Sequence, residues 1–283
     1  MTLPLPRPVF DARMGSNSFG DLPDWDLTDL YESPDCAAIK ADFASVDADV
    51  RSFEADFKGK LATLTADQML GCIRRYEEID ITAGRIMSYA GLRYYQNTMD
   101  SDRAKFMADA QDAITNSTTP LVFFTLEFNR VEEPALNALL AANADLARYK
   151  PVFDRLRAMR PHQLSDEMET YLHDASVVGS SAWNKLFDET MAGLMFTVAG
   201  EEEELSLEAT LNLLTDTDRA KREAAARALA LVFDKNIKLF ARVHNTLAKE
   251  KEIEDRWRKM PSPQYSRHLA NHVEPEVVEA LRN

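Results

Sequence analysis

The sequence is poor in glycine, which accounts for only 9 of its 283 residues. Folds built from many short strands need tight turns, and glycine is the residue that such turns favour. Its scarcity therefore argues against an all-β fold. Cysteine is rarer still. Cys36 and Cys72 form no CxxC pair, so we expect two reduced, buried thiols rather than a disulfide or a metal site.

Long hydrophobic runs and an excess of positive charge are also missing. No apolar run approaches the ~20 residues that cross a bilayer, and the N-terminus lacks the basic and apolar regions of a signal peptide. A net charge of −14 repels phosphate backbones and anionic membranes. We therefore expect a cytoplasmic protein that has neither nucleic acid nor membrane as a partner.

What the sequence does contain is helical periodicity, which predicts an all-α fold of mainly long antiparallel helices. Prolines and glycines in residues 1–23 predict an N-terminal arm. A subdomain of long helices is expected over 24–130 and a second helical segment over 131–283. Within that second segment, Phe196-Thr-Val, Gly200 and the return through Leu205 predict one small β-hairpin near 196–205. Its four glutamates are expected on the solvated side, with an acidic metal site as the alternative.

The first predicted helix carries a single apolar stripe in heptad spacing, formed by Ile39, Phe43, Val46, Val50, Phe53 and Phe57. Ser33 is its expected N-cap, with Pro34 as the first helical residue. The stripe has two interpretations. It packs against the next helix of the same chain, or it forms an interface for partner helices.

Local signals mark the boundaries of later helices. Thr65 and Gln68 form a capping-box pattern that starts the second helix. Pro120 is expected to kink or end the third helix, and Ser165 is a candidate N-cap. One very long helix is predicted from Thr217 to about Arg258. A last helix begins near Pro275 and the chain stops about two turns later, which predicts a cut within a larger protein.

The motifs of common catalytic sites are absent from the sequence. It contains no Gly-x-Ser-x-Gly elbow, no phosphate-binding glycine loop, and no Glu-x-x-His. His268 and His272 share the four-residue spacing of the zinc motif His-Glu-x-x-His, but Leu269 stands where that motif has its general base. His173 and His244 are expected to lie in or near the core. No catalytic, cofactor-binding or metal-binding residue is therefore predicted.

Five stretches, in order, resemble the N-terminal half of oligoendopeptidase F-type enzymes, zinc oligopeptidases of the M3 family. They are WDLTDLY at 25–31, SYAGLRYY at 88–95, GSSAWNKLFDE at 179–189 followed by FTV at 196–198, LNLLTDTDRAKREAA at 211–225, and NTLAKEKEIEDR at 245–256 followed by YSRHLANHVEPEVV at 265–278. The resemblance extends from about residue 24 to the end of the chain.

This resemblance implies a helical lobe that forms one wall of a channel in which short peptides are hydrolysed with one zinc ion. The family's zinc motif lies downstream of the matched region, so no family ligand can be placed on this chain. The chain alone is expected to be inactive, to bind no zinc, and to self-associate through surface exposed by truncation. The alternatives are a non-enzymatic helical scaffold that uses the 39–57 stripe, and a metalloenzyme that uses His268 and His272.

Overall fold

A computed structural model describes residues 25–282, and these residues form an all-α protein. The predicted arm, residues 1–23, lies outside the described part. The helices are α1 Ala37–Phe57, α2 Ala66–Gln96, α3 Ser101–Thr118, α4 Val122–Arg130, α5 Glu133–Ala142, α6 Ala144–Ala147, α7 Lys150–Ala158, α8 Asp166–Ala175, α9 Ser180–Gly193, α10 Leu207–Leu213, α11 Arg219–Trp257, α12 Tyr265–Asn271 and α13 Pro275–Arg282.

The described residues divide into two compact units. The first contains 25–34, 88–109 and 178–247, and the second contains 35–87, 110–177 and 248–282. Both units therefore draw on widely separated stretches of chain, and α2, α3 and α11 each contribute residues to both. The division into 24–130 and 131–283 drawn from the sequence stays a prediction.

Aromatic contacts organise the first unit. The ring of Tyr31 packs edge-on against Tyr89 with centroids 5.4 Å apart, which anchors the stretch before α1. Trp25, in the same stretch, is 69% exposed, so Tyr31 and not Trp25 is the docked aromatic group. A second cluster joins the buried Phe196 and Val198 to Ala228 and Leu229 of α11.

The predicted hairpin is reduced to one isolated antiparallel bridge between Phe196 and Leu205. Their backbone N–H groups donate to each other's carbonyl oxygens at 2.8 and 2.9 Å. The chain turns at Gly200, whose φ is +96°, and Glu201–Glu204 are exposed. Four adjacent carboxylates repel one another and are better solvated in a turn than paired in a ladder, so strand pairing goes no further than the bridge.

The stripe of α1 lies in the core of the second unit. Ile39, Val46, Val50 and Phe53 are buried. The ring of Phe53 contacts Tyr76 of α2 at 6.0 Å and Phe124 of α4 at 5.9 Å. The stripe therefore packs within its own chain, as the first interpretation predicted.

Several predicted helix boundaries are confirmed and one is wrong. Thr65 and Gln68 form a reciprocal capping box at the start of α2, and Ser165 caps α8 by accepting from the Met168 N–H. Pro120 lies in a 3-10 turn, Thr119–Leu121, that separates α3 from α4. Ser33 is not the cap of α1, because that helix begins at Ala37 after Cys36, close to Ile39, the first buried side chain of its stripe.

Candidate functional site

The histidines with zinc-motif spacing do not share a helical face in the structure. His268 lies in the last turn of α12, whereas His272 follows the helix in the left-handed conformation, with φ 52° and ψ 46°. Among the described residues, no three histidine, cysteine, aspartate or glutamate side chains come together to hold a metal ion. The arrangement of His268 and His272 thus does not fit a zinc site.

Two other histidines lie at contacts between helices of the second unit. His162 Nδ1 is 2.9 Å from the carbonyl oxygen of Arg258, which makes the ring nitrogen the donor. His173 Nε2 is 3.4 Å from the hydroxyl of Thr118. Burial lowers the pKa of His173, with a smaller opposing effect of Asp174. These histidines join helices, and neither has a second potential metal ligand beside it in these contacts.

The two cysteines differ in burial. Cys72 is fully buried and Cys36 is half-buried, and neither forms a disulfide. Burial raises the pKa of Cys72 to about 12, with a smaller lowering effect of Arg75. Because the thiolate is the reactive form of cysteine, Cys72 is unsuited to act as a nucleophile and serves as a small apolar side chain of the core.

A largely buried ion pair fixes the end of α11 within the second unit. The Arg258 guanidinium donates to both carboxylate oxygens of Glu169, at 2.6 and 3.0 Å, and to Glu254 at 2.7 Å. The N–H of Leu164 donates to Glu169 at 2.8 Å. Burial alone would raise the pKa of Glu169, but the bonds from Arg258 and Leu164 outweigh it and lower that pKa.

The second unit contains a cavity of about 290 Å³. Four elements surround it: the end of α1, the 3-10 turn after α3, α4, and α8. The lining residues are Glu54, Lys58, Thr119, Pro120, Phe123, Leu126, Asp166 and Thr170. Phe123 and Leu126 are buried and form its apolar side.

Charged groups lie on two of the elements that line this cavity, the end of α1 and α8. On the α1 wall, Lys58 Nζ donates to Glu54 Oε1 at 2.6 Å. On the α8 wall, Arg130 pairs with Asp166 Oδ1, and this pairing raises the pKa of Arg130. A lining that combines apolar side chains with a few polar groups is typical of binding sites for small molecules.

No motif in the sequence predicts this cavity, although one local pattern lies on the α8 side of it. Asp166, Thr170 and His173 follow one another at spacings of four and three along α8, which places them on one face of the helix. Glu54 and Lys58, at the end of α1, lie more than 100 positions earlier in the sequence. Only the packing of α1, α4 and α8 brings the two walls together.

Comparison with known proteins finds similarity to oligopeptidases. Residues 127–196 match the family described as Oligopeptidase F. The chain is 25% identical to Group B oligopeptidase PepB of Streptococcus agalactiae serotype III (strain NEM316), over 70% of this chain and 33% of that protein. It is 25% identical to oligopeptidase PepF of Bacillus subtilis (strain 168), over 79% of this chain and 32% of that protein.

The fold is shared with the crystal structure of oligoendopeptidase-F from Enterococcus faecium. The TM-score is 0.76 at 22% identity, over 86% of this chain and 49% of that chain. The predicted resemblance to oligoendopeptidase F-type enzymes is confirmed. The chain spans about a third of the length of the two curated relatives named above.

Proposed function

We propose that this chain is the N-terminal helical lobe of a zinc metalloendopeptidase that hydrolyses short oligopeptides, and that it forms part of the substrate channel. The observation that carries the proposal is the extent of the matches. Relatives named as oligopeptidases match 70% and 79% of this chain, but only a third of their own length. The fold match covers 86% of this chain and about half of the solved one.

The zinc ion of such an enzyme would be held by residues outside this chain. The described residues offer no cluster of three ligands, and His272 has left the helix that carries His268. We therefore propose that the chain alone binds no zinc and hydrolyses no peptide. Its own contribution is a stiff helical wall, in which α2 and α11 contain 31 and 39 residues.

The proposed partners are short peptides, bound together with the catalytic half, in the cytoplasm. Nucleic acid is an unfavourable partner because the net charge is −14. No helix in the described part of the chain is long and apolar enough to span a membrane. We also propose self-association, supported by the exposed apolar side chains of α13, Val277, Val278 and Leu281.

Metal analysis combined with a peptidase assay tests the catalytic proposal. The 283-residue chain and a longer natural protein that contains it would be assayed with internally quenched peptides, and their zinc content would be measured. We expect stoichiometric zinc and cleavage only in the longer protein. Replacing both His268 and His272 with alanine in that protein should leave its zinc content unchanged. If the longer protein binds no zinc and cuts no peptide, the proposal is wrong.

The alternative of a helical scaffold requires the apolar stripe of α1 to be available to a partner helix. Ile39, Val46, Val50 and Phe53 of the stripe are buried inside the second unit. A partner helix could reach them only if α1 left the core, which would expose four large apolar side chains. The structure therefore favours the channel-lobe proposal.

A further inference from the structure

The cavity between α1, α4 and α8 is rich in hydrogen-bond acceptors. The pairs with Lys58 and Arg130 each engage one carboxylate oxygen, Oε1 of Glu54 and Oδ1 of Asp166. A carboxylate has two oxygens and about four acceptor sites, so each acid retains acceptor capacity. Both acids line the same cavity, so both can contact one ligand.

Thr119 adds a third acceptor to the cavity lining. Its hydroxyl donates its only proton to the Thr115 carbonyl at 2.8 Å, within the preceding helical turn. The hydroxyl oxygen can therefore only accept a bond from a ligand. Lys58 is the one charged donor among the lining residues, and its 56% exposed side chain can turn toward solvent. The lining thus favours a ligand that brings N–H donors and positive charge.

The apolar side of the cavity, formed by Phe123 and Leu126, favours a ligand with an apolar group of limited size. Phe123 and Leu126 are 7% and 5% exposed, and Pro120 lies beside them in the lining. About 290 Å³ falls at the lower end of the ~300–1,000 Å³ range of ligand pockets. The ligand is therefore compact, comparable to one amino-acid residue with an aliphatic side chain.

We propose that this cavity binds a primary ammonium group attached to a compact apolar side chain, as in an aliphatic amino acid or the amino end of a short peptide. The ammonium lies between Glu54 and Asp166, and the apolar side chain lies on Phe123 and Leu126. Each of the two ion pairs is solvent-exposed and contributes little to stability, so a ligand can compete for their carboxylates at small cost. The site goes beyond the proposed peptidase function, because it needs neither zinc nor hydrolysis.

Three related amides test the chemistry on the full 283-residue chain by ligand-observed NMR or calorimetric titration at about pH 6.5, where an α-amino group is charged. Leucinamide has both features, N-acetylleucinamide lacks the charge, and glycinamide lacks the side chain. We expect leucinamide to bind about tenfold more tightly than either of the others. A comparison of leucine with leucyl-glycine then distinguishes a free amino acid from a peptide end.

Variants locate the binding in the cavity. Thr170→Leu fills the space with a residue of higher helix propensity and should abolish binding, whereas Thr170→Ser should retain it. Glu54→Gln and Asp166→Asn should each weaken leucinamide binding by about tenfold. Asp154→Asn is the matched control, since Asp154 pairs with Lys150 on α7 and does not line the cavity.

Three outcomes would overturn the proposal. They are no binding of leucinamide up to about 10 mM, equal affinity for leucinamide and its acetylated form, and unchanged affinity in a folded Thr170→Leu variant. Circular dichroism of each variant confirms that it is folded. Because no step requires zinc or a longer protein, these results are independent of the peptidase assay.

Discussion

At the scale of single residues, the structure separates charged groups that stabilise the fold from those that are merely on its surface. Many ion pairs join side chains three or four positions apart on one helix, such as the exposed pairs of Arg51 with Asp47 and Lys150 with Asp154. Such pairs contribute little, because water screens both charges. Arg258 and Glu169 differ from them, since their side chains are only 12% and 15% exposed and 89 positions apart.

The Arg258–Glu169 pair gives the first stability prediction. Replacing Arg258 with methionine leaves the largely buried Glu169 without its counter-ion, and we expect a loss of about 3 kcal/mol in the free energy of unfolding. The double variant Arg258→Met, Glu169→Gln should lose less, because no unpaired charge remains. Denaturant unfolding followed by circular dichroism measures both values. Equal losses in the two variants would contradict this prediction.

Acid should weaken the same contact. The pKa of Glu169 is lower in the folded protein than its ordinary value of 4.5, so the folded state favours the carboxylate. This contribution to stability is complete above about pH 4.5 and is lost as the pH falls through the folded-state pKa. The Glu169→Gln variant should therefore lose less stability than the wild type as the pH falls from about 5 to the acid limit of folding. Denaturant unfolding of both proteins at several pH values in this range measures the difference.

At the scale of helices, the local sequence sets where a helix begins only when a side chain can satisfy the free N–H groups. Thr65 and Gln68 do so reciprocally at α2, with bonds of 3.3 and 2.9 Å. Ser33 was predicted to do so at α1, but that helix begins four residues later. Capping residues are common in turns as well as at helix starts, so the pattern at Ser33 was less specific than a full capping box.

The capping box of α2 gives a prediction with an internal control. Thr65→Ala removes the hydroxyl that accepts from the Gln68 N–H, and the free energy of unfolding should fall by about 1 kcal/mol. Thr65→Ser keeps the hydroxyl and should be nearly neutral. Chemical denaturation of the three proteins under the same conditions provides the comparison, and equal stability of the alanine and serine variants would argue against the cap.

At the scale of the whole molecule, the distribution of apolar surface is the feature with consequences for behaviour. The apolar face of α13 contains Val277 at 54% exposure, Val278 at 37% and Leu281 at 90%. Positions 277, 278 and 281 are one, three and four residues apart, so they lie on one side of the helix. An exposed apolar stripe of this kind favours association.

Light scattering tests whether this stripe joins copies of the chain. We expect the apparent mass of the wild type to rise with concentration, and the double variant Val277→Glu, Leu281→Glu to remain monomeric. Glu276→Gln, on the same helix but outside the stripe, is the control and should behave as the wild type does. A strictly monomeric wild type at high concentration would refute the proposed self-association.

The sequence by itself determined the helices, because helix formation depends on neighbours three and four positions apart. Local patterns of this kind predicted four features: the stripe of α1, the capping box of α2, the break at Pro120 and the long α11. The predicted hairpin was more extensive than the observed one, because the residue pattern around Phe196 does not show how many backbone pairs will form. Within the described stretch 196–205, only the bridge between Phe196 and Leu205 is present. The five sequence stretches that occur in the same order as in oligoendopeptidase F-type enzymes also identified that resemblance.

Only the tertiary structure decided which distant residues meet. The Glu54 and Asp166 walls of the cavity, and the pair of Arg258 with Glu169, join positions that no local period relates. Their contacts depend on how α1, α4, α8 and the end of α11 pack. That packing is set by the sum of many weak apolar contacts. No local sequence pattern predicts these contacts individually.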